Sequence, residues 1–349
     1  MRRYYQIEVV PRCLTFKRPA GTSRGVYTTR KLWEVRIRKE DEPSVIGIGE
    51  CAPLPDLSCD YGVDYEITLS KACLDLEQKG YVDTESLRHY PSILFGLETA
   101  MRHYEQGGWR HYDTPFSQGQ AGIPINGLIW MGDYKYMLEQ VEEKMKEGFR
   151  CVKLKIGAID FDRELSLLKH IRAHFSAKEI ELRVDANGAF TPSEAMDKLK
   201  RLAEMDLHSI EPIRAGQLEE MARLAAESPL PIALDEELIG CNAPDEKQRL
   251  LETIHPQYII LKPSLHGGIS GCTEWIHLAE TILGSTPEQP KWWVTSALES
   301  QIGLNAIAQW CATLGNPLPQ GLGTGEIFKD DKHKLIQRKG DTIWFTNDL

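Results

Sequence analysis

"CVKLKIG" (residues 151–157) decides how this chain is read. Val152, Leu154 and Ile156 alternate with Cys151, Lys153 and Lys155, the period-two pattern of a strand with one packed aliphatic face. The two lysines share the opposite face. An unpaired buried charge costs on the order of several kcal/mol, so that face needs partners of opposite sign.

The following segments repeat the same division. In "IELRVDANG" (180–188), Leu182 and Val184 face one way and Arg183, Asp185 and Asn187 the other. Ile210 opposes Glu211 in "HSIEP" (208–212), and Ile232 and Leu234 oppose Asp235 in "PIALDEE" (231–237). Ile259 and Leu261 oppose Lys262 in "YIILKPS" (258–264). Five consecutive strands thus carry an ionisable group opposite their aliphatics, near the strand's end. Positions 155, 185, 211, 235 and 262 are 24 to 30 residues apart, one strand–helix unit each.

Helical segments separate these strands. Before them, "IPINGLI" (123–129) reads as a strand, and Tyr134, Met137, Leu138, Val141 and Met145 follow at helical spacing. "TPSE" (191–194) opens another helix, with Thr191 as cap, Pro192 in first position and Glu194 closing a capping box. "KWWVTSA" (291–297) supplies a seventh strand and "PQGLGTGEIF" (319–328) is expected to supply an eighth. The alternation predicts an α/β fold, a (β/α)8 barrel from about residue 116 to 325. A doubly wound sheet would place a glycine-rich fingerprint after its first strand, and "IPINGLIWMG" has none. Residues 1–115 mix strand-like "KLWEVRIR" (31–38) with helical stretches at 64–80 and 93–106, an α+β unit. The segment 326–349 ends in apolar "TIWF" and is expected to pack back on that unit.

Bulk properties narrow the partners. The 349 residues carry 26% charged side chains and a net charge of −10, which disfavours nucleic acid and anionic membranes. The opening "MRRYYQIEVVPRCLTF" has no apolar core, so no signal peptide or membrane anchor is expected. Eight scattered cysteines without a C-x-x-C pair point to reduced thiols in the cytoplasm.

In a barrel the polar face opens at the C-terminal mouth, where such enzymes work. Asp185, Glu211 and Asp235, with no His or Cys among them, form a hard oxygen set suited to one Mg²⁺. Lys155 and Lys262, on strands two and six, face that site from opposite sides. A divalent cation between lysines suits proton abstraction next to a carboxylate: the metal stabilises the enediolate, and a lysine lowered by nearby cations is the base. A Schiff-base aldolase would not need three carboxylates on consecutive strands. A barrel that only binds a metal or partner would not need Lys155.

"KLKIG", "RVDANGAF", "IEPI", "LDEEL" and "LKPSLHGG" resemble the ordered motifs of the muconate-lactonizing subgroup of the enolase superfamily. "GIGECAPLP" (47–55), "TSALESQIGLNAIAQWCA" (295–312) and "GLGTG" (321–325) are similar to the o-succinylbenzoate synthase family, over nearly the whole chain. The resemblance implies a modified, (β/α)7β barrel under an α+β capping domain. It implies Mg²⁺-dependent dehydration of 2-succinyl-6-hydroxy-2,4-cyclohexadiene-1-carboxylate to o-succinylbenzoate, in menaquinone synthesis. Lys155 is then the base, Lys153 its electrostatic support and Lys262 the stabilising cation on the other face. Asp185, Glu211 and Asp235 hold the metal; Arg183, Asn187 and Ser296 are implied to line or grip the substrate. "AGTSRG" (20–25) resembles a loop that closes the site.

Alternatives stay open at several positions. Parity allows Glu237 beside Asp235, and the motif selects Asp235. Arg183 is a site residue or half of a salt bridge, and Ser296 a substrate contact or a structural hydroxyl. His266 reads as a loop residue rather than an acid. The alternative activity is racemisation of N-succinylamino acids, or dipeptide epimerisation, with Lys155 and Lys262 as paired bases. "WWVTSALES" (292–300) lacks the D-x-D that dipeptide epimerases carry.

Overall fold

A computed structural model describes residues 3–21, 25–157 and 159–346. The N-terminal layer is an antiparallel sheet of β1 (Gln6–Gly21), β2 (Val26–Arg38) and β3 (Gly47–Cys51), in that order. Helices α1 (Tyr65–Lys79) and α2 (Pro91–Gln106) cover one face. Trp33, Val35 and Ile37 meet Leu69, Leu76, Ile93 and Leu97 there. The glycines of "GIGEC" are required by contact: a Cβ at Gly49 would overlap the Gly96 carbonyl of α2.

After the short β4 (Ile123–Pro124), parallel strands and helices alternate. They are β5 (Gly127–Ile129), α3 (Tyr134–Lys146), β6 (Cys151–Lys155), α4 (Phe161–His174), β7 (Glu181–Phe190) and α5 (Pro192–Ala203). Then come β8 (Ser209–Ile213), α6 (Leu218–Glu227), β9 (Ala233–Leu234), α7 (Pro244–Ile254), β10 (Tyr258–Leu261), α8 (Gly268–Ile282), β11 (Trp292–Val294) and α9 (Gln301–Thr313). The expected capping box is present at α5, where the Thr191 N–H donates to Glu194 Oε1 at 3.0 Å.

β5 to β8 form one parallel sheet and β9 to β11 another. Single parallel bridges close the ring: Ile210 with Ile232, Thr295 with Gly321, and Gln320 with Ile125. The eighth barrel member is thus two residues, Gln320 and Gly321, rather than a strand across 319–328. The glycine lets the chain lie flat on Thr295, where any Cβ would collide. No helix follows it among the described residues, so the architecture is a (β/α)7β barrel under an α+β cap.

The C-terminal segment serves both layers. Residues 327–329 run beside β1, with Lys17 N–H donating to Ile327 O at 2.8 Å and Lys329 N–H to Thr15 O at 2.9 Å. Strands β12 (Ile336–Lys339) and β13 (Thr342–Phe345) form a hairpin that pairs with β4 and places Ile343 and Phe345 in the barrel core. Among the described residues no helix is long and apolar enough to cross a membrane.

Candidate active site and metal centre

Register brings the charged positions to one level. Across β6, β7 and β8, Lys155 lies beside Asp185 and Asp185 beside Glu211. β9 and β10 pair Leu234 with Ile259, so Asp235 and Lys262 emerge from neighbouring strand ends. Lys155, Asp185, Asp235 and Lys262 line one cavity of about 510 Å³ at the C-terminal mouth of the barrel, and Glu211 sits beside Asp185 on the neighbouring strand. The cap supplies the other wall: Phe16 to Gly21 of β1, with Leu54 and Leu57. Of the loop "AGTSRG", Thr22, Ser23 and Arg24 lie outside the described residues.

The charges form a linked set. Lys153 Nζ lies 2.5 Å from Glu211 Oε1 and 3.1 Å from Asp185 Oδ2. Lys262 pairs with Asp235 Oδ2. Asp185 also accepts the Asn187 N–H at 2.8 Å, through Oδ1. Lys155 meets different partners. Its ammonium donates to Asn187 Oδ1 and Gly21 O, each at 3.3 Å, and stands 5.7 Å from the centre of the Trp130 ring.

This arrangement divides the lysines. Burial pushes Lys155 below the ordinary lysine range against the pull of Asp185, and Lys153 and Lys262 push it further. Burial alone would lower Lys153, but Asp185, Glu211 and Asp235 together raise it. Lys262 is likewise raised by Asp235 against the effect of burial. Lys155 is the lysine suited to being a neutral base.

The carboxylates divide too. Burial and the charge of Asp185 push Glu211 well above the usual carboxyl range. Burial would raise Asp185, but Lys153 and Lys155 hold it below its usual value. Asp235 is held down by Lys262 against the same effect. Three carboxylates so close do not all stay ionised without added positive charge.

Two observations test whether a cation fits here. Glu211 Oε2 and Asp235 Oδ1 are buried acceptors with no hydrogen-bond partner among the described residues. One ligand oxygen from each of Glu211, Asp235 and Glu236 falls within 4.8 Å of the others. Unmet acceptors in an all-oxygen set fit a hard divalent cation. Asp185, held by Lys153 and Asn187, borders this cluster.

The remaining expected site residues lie apart from the charges. Ser296 lines the cavity, but its hydroxyl donates to Glu299 Oε2 at 2.8 Å and accepts from the Leu298 N–H at 3.0 Å and Thr324 Oγ1 at 2.8 Å. Arg183 is not among the cavity residues. It lies two residues earlier on β7, bonded to Glu181 at 2.7 Å and to the Pro319 carbonyl at 2.9 Å, with its guanidinium 4.1 Å from the Trp293 ring centre. Trp130, which sequence reasoning did not single out, directly follows β5. Its place after the first barrel strand was the available signal.

Comparison with known proteins agrees with this geometry. Residues 136–337 match the family model described as "Enolase C-terminal domain-like". The o-succinylbenzoate synthase of Desulfotalea psychrophila is 44% identical over 352 residues, spanning 91% of this chain and 93% of that protein. The chain belongs to the o-succinylbenzoate synthase family of the enolase superfamily. A crystal structure of MenC from the same organism superposes with a TM-score of 0.80 at 37% identity, covering 97% of this chain and 99% of that one. The substrate-liganded L-Ala-D/L-Glu epimerase of Bacillus subtilis shares the fold at 21% identity, with a TM-score of 0.79 and 99% and 97% coverage. The family assignment thus agrees with the motif reading and does not favour the epimerase alternative.

Proposed function

We propose that the protein dehydrates 2-succinyl-6-hydroxy-2,4-cyclohexadiene-1-carboxylate to o-succinylbenzoate, as a carbon–oxygen lyase acting in the cytoplasm on the route to menaquinone. The observation that carries this reading is the common level of Lys155, Asp185 and Glu211, with Lys155, unlike Lys153 and Lys262, pushed below the ordinary lysine range.

Asp185, Glu211 and Asp235 are the proposed ligands of one Mg²⁺, with Glu236 beside them. When bound, the ion supplies positive charge at the substrate carboxylate as negative charge develops there. Neutral Lys155 takes the proton α to that carboxylate through Nζ, and the C–H electron pair passes into the ring. The Lys155 ammonium then returns this proton to the departing hydroxyl on the same face, so water leaves and the ring becomes aromatic. Lys262 offers its ammonium to the opposite face. Lys153, fixed between Asp185 and Glu211, stays charged and keeps Lys155 neutral.

Asn187 orients Lys155, and Trp130 gives the ring an apolar wall. Ser296 shapes the cavity through Glu299, while Arg183 supports the barrel below the site. We divide the chain into a capping domain (1–115), a catalytic barrel (116–325) and a terminal segment (326–349). The cap closes the mouth with β1, excluding water from the reacting carboxylate.

The test is conversion of the cyclohexadiene substrate by purified protein with Mg²⁺ and with EDTA. Fast product formation that EDTA abolishes and Mg²⁺ restores is expected. Turnover indifferent to EDTA would rule out the metal reading, and no turnover with Mg²⁺ would rule out the substrate.

A further inference from the structure

His266 follows Lys262 in the turn between β10 and α8, and its side chain is fully buried. The Lys262 backbone N–H donates to His266 Nδ1 at 3.0 Å, and the His266 backbone N–H donates back to the Lys262 carbonyl at 3.0 Å. A peptide N–H can only donate, so Nδ1 carries the lone pair. The imidazole is therefore neutral, with its proton on Nε2. Burial reinforces this, pushing the ring down to about 3.

Nε2 is buried and has no hydrogen-bond partner among the described residues. Asp235 Oδ1 is in turn a buried acceptor without a partner. A donor on His266 and an acceptor on Asp235 are thus both unmet, and His266 is tied through Nδ1 to Lys262, whose ammonium pairs with Asp235.

We propose that His266 is a positioning residue for both members of that pair. Its Nδ1 fixes the Lys262 main chain at the strand end. Its Nε2–H is reserved for the Asp235 carboxylate when that carboxylate turns from Lys262 to a divalent cation. Lys262 is thereby released toward the substrate, and Asp235 keeps an oriented oxygen for the ion. A neutral donor does this without adding positive charge at the cation, which a lysine or arginine there would do. This inference rests on the proposed metal site, with Asp235 as a ligand.

Two full-length variants separate the functions of the ring. Asn at 266 keeps an acceptor near Nδ1 and removes the Nε2–H, whereas Gln keeps a donor near Nε2 and removes the acceptor. For His266→Asn, we expect an unchanged melting temperature, roughly 10- to 100-fold weaker Mg²⁺ binding by calorimetry and a fall of the same order in kcat with little change in KM. His266→Gln retains Mg²⁺ affinity and loses kcat through misplaced Lys262. Wild-type affinity and kcat in His266→Asn would overturn the proposal.

A measurement on ¹⁵N-histidine-labelled wild type needs no variant to fold. The His266 ring, identified by coupling of Nδ1 to the Lys262 amide, should keep its proton on Nε2. That proton's resonance should move downfield when Mg²⁺ is added. An Nδ1-protonated ring, or an Nε2–H indifferent to Mg²⁺ that binds, would overturn the proposal. A wild type that binds no Mg²⁺ would fail the metal reading as well, which is a distinguishable result.

Discussion

Lys155 and Lys153 stand two residues apart on one strand, yet their surroundings give them opposite chemistry. Lys153 sits between two carboxylates and keeps its proton; Lys155 faces an amide, a carbonyl and an indole and is pushed toward losing it. A base works only when neutral, so activity should rise with pH and level off once Lys155 is deprotonated. Because its pKa is lowered, the midpoint of that rise in kcat/KM should lie below the 10.5 of an ordinary lysine. A midpoint at or above that value would mean the neighbouring cations do not act on it. The alternation of aliphatic and ionisable residues made this site legible, because period two assigns each residue to a face without knowledge of the fold. Which partner each charge meets was not legible. Arg183 shares its parity with Asp185 but lies one layer below the cavity, and strand parity carries no information about depth.

At the level of elements, helices were legible from apolar spacing and caps, as at α5. Strand lengths were less so. β9 has two residues and β11 three, and the eighth barrel member is a pair of bridging residues held by Gly321 against Thr295. Barrel closure selects those contacts, and they leave little local trace. The glycines of β3 show the same limit: they are points of close approach to α2, which no local pattern marks. Gly49→Ala should therefore cost about 1–3 kcal/mol by overpacking and lower the melting temperature. A mutant as stable as wild type in thermal unfolding would show that α2 can move away from β3 at little cost.

The cap and barrel are joined by buried polar contacts that no sequence pattern announced, since their partners are far apart in the chain. Arg30 of β2 donates through Nε to the Leu298 carbonyl at 3.1 Å, and Leu298 has a left-handed backbone with φ of 64° at the cavity wall. Glu50 of β3 accepts the N–H groups of Ser300 and Gly303 at 2.9 and 3.0 Å, at the start of α9. Glu98 of α2 does the same for Ile269 and Ser270 at 2.7 and 3.1 Å, at the start of α8. Burial pushes Glu50 up to about 7, above its unfolded value of 4.5. The folded protein then binds the extra proton between these values, so this group's contribution to stability falls as pH rises from 4.5 to about 7. Glu50→Gln should flatten that part of the stability–pH curve, measured by denaturant unfolding. An unchanged slope would show that Glu50 does not titrate there. The cap in turn holds β1 over Lys155, so these contacts bear on the chemistry at a distance. The most direct test of the whole account is turnover of the cyclohexadiene substrate by Lys155→Ala at saturating Mg²⁺, with folding checked by circular dichroism. Loss of the general base should lower kcat by about 10²–10⁴-fold in a folded, Mg²⁺-binding protein. A folded variant that forms o-succinylbenzoate at the wild-type rate would contradict the assignment of Lys155 as the base and the mechanism built on it.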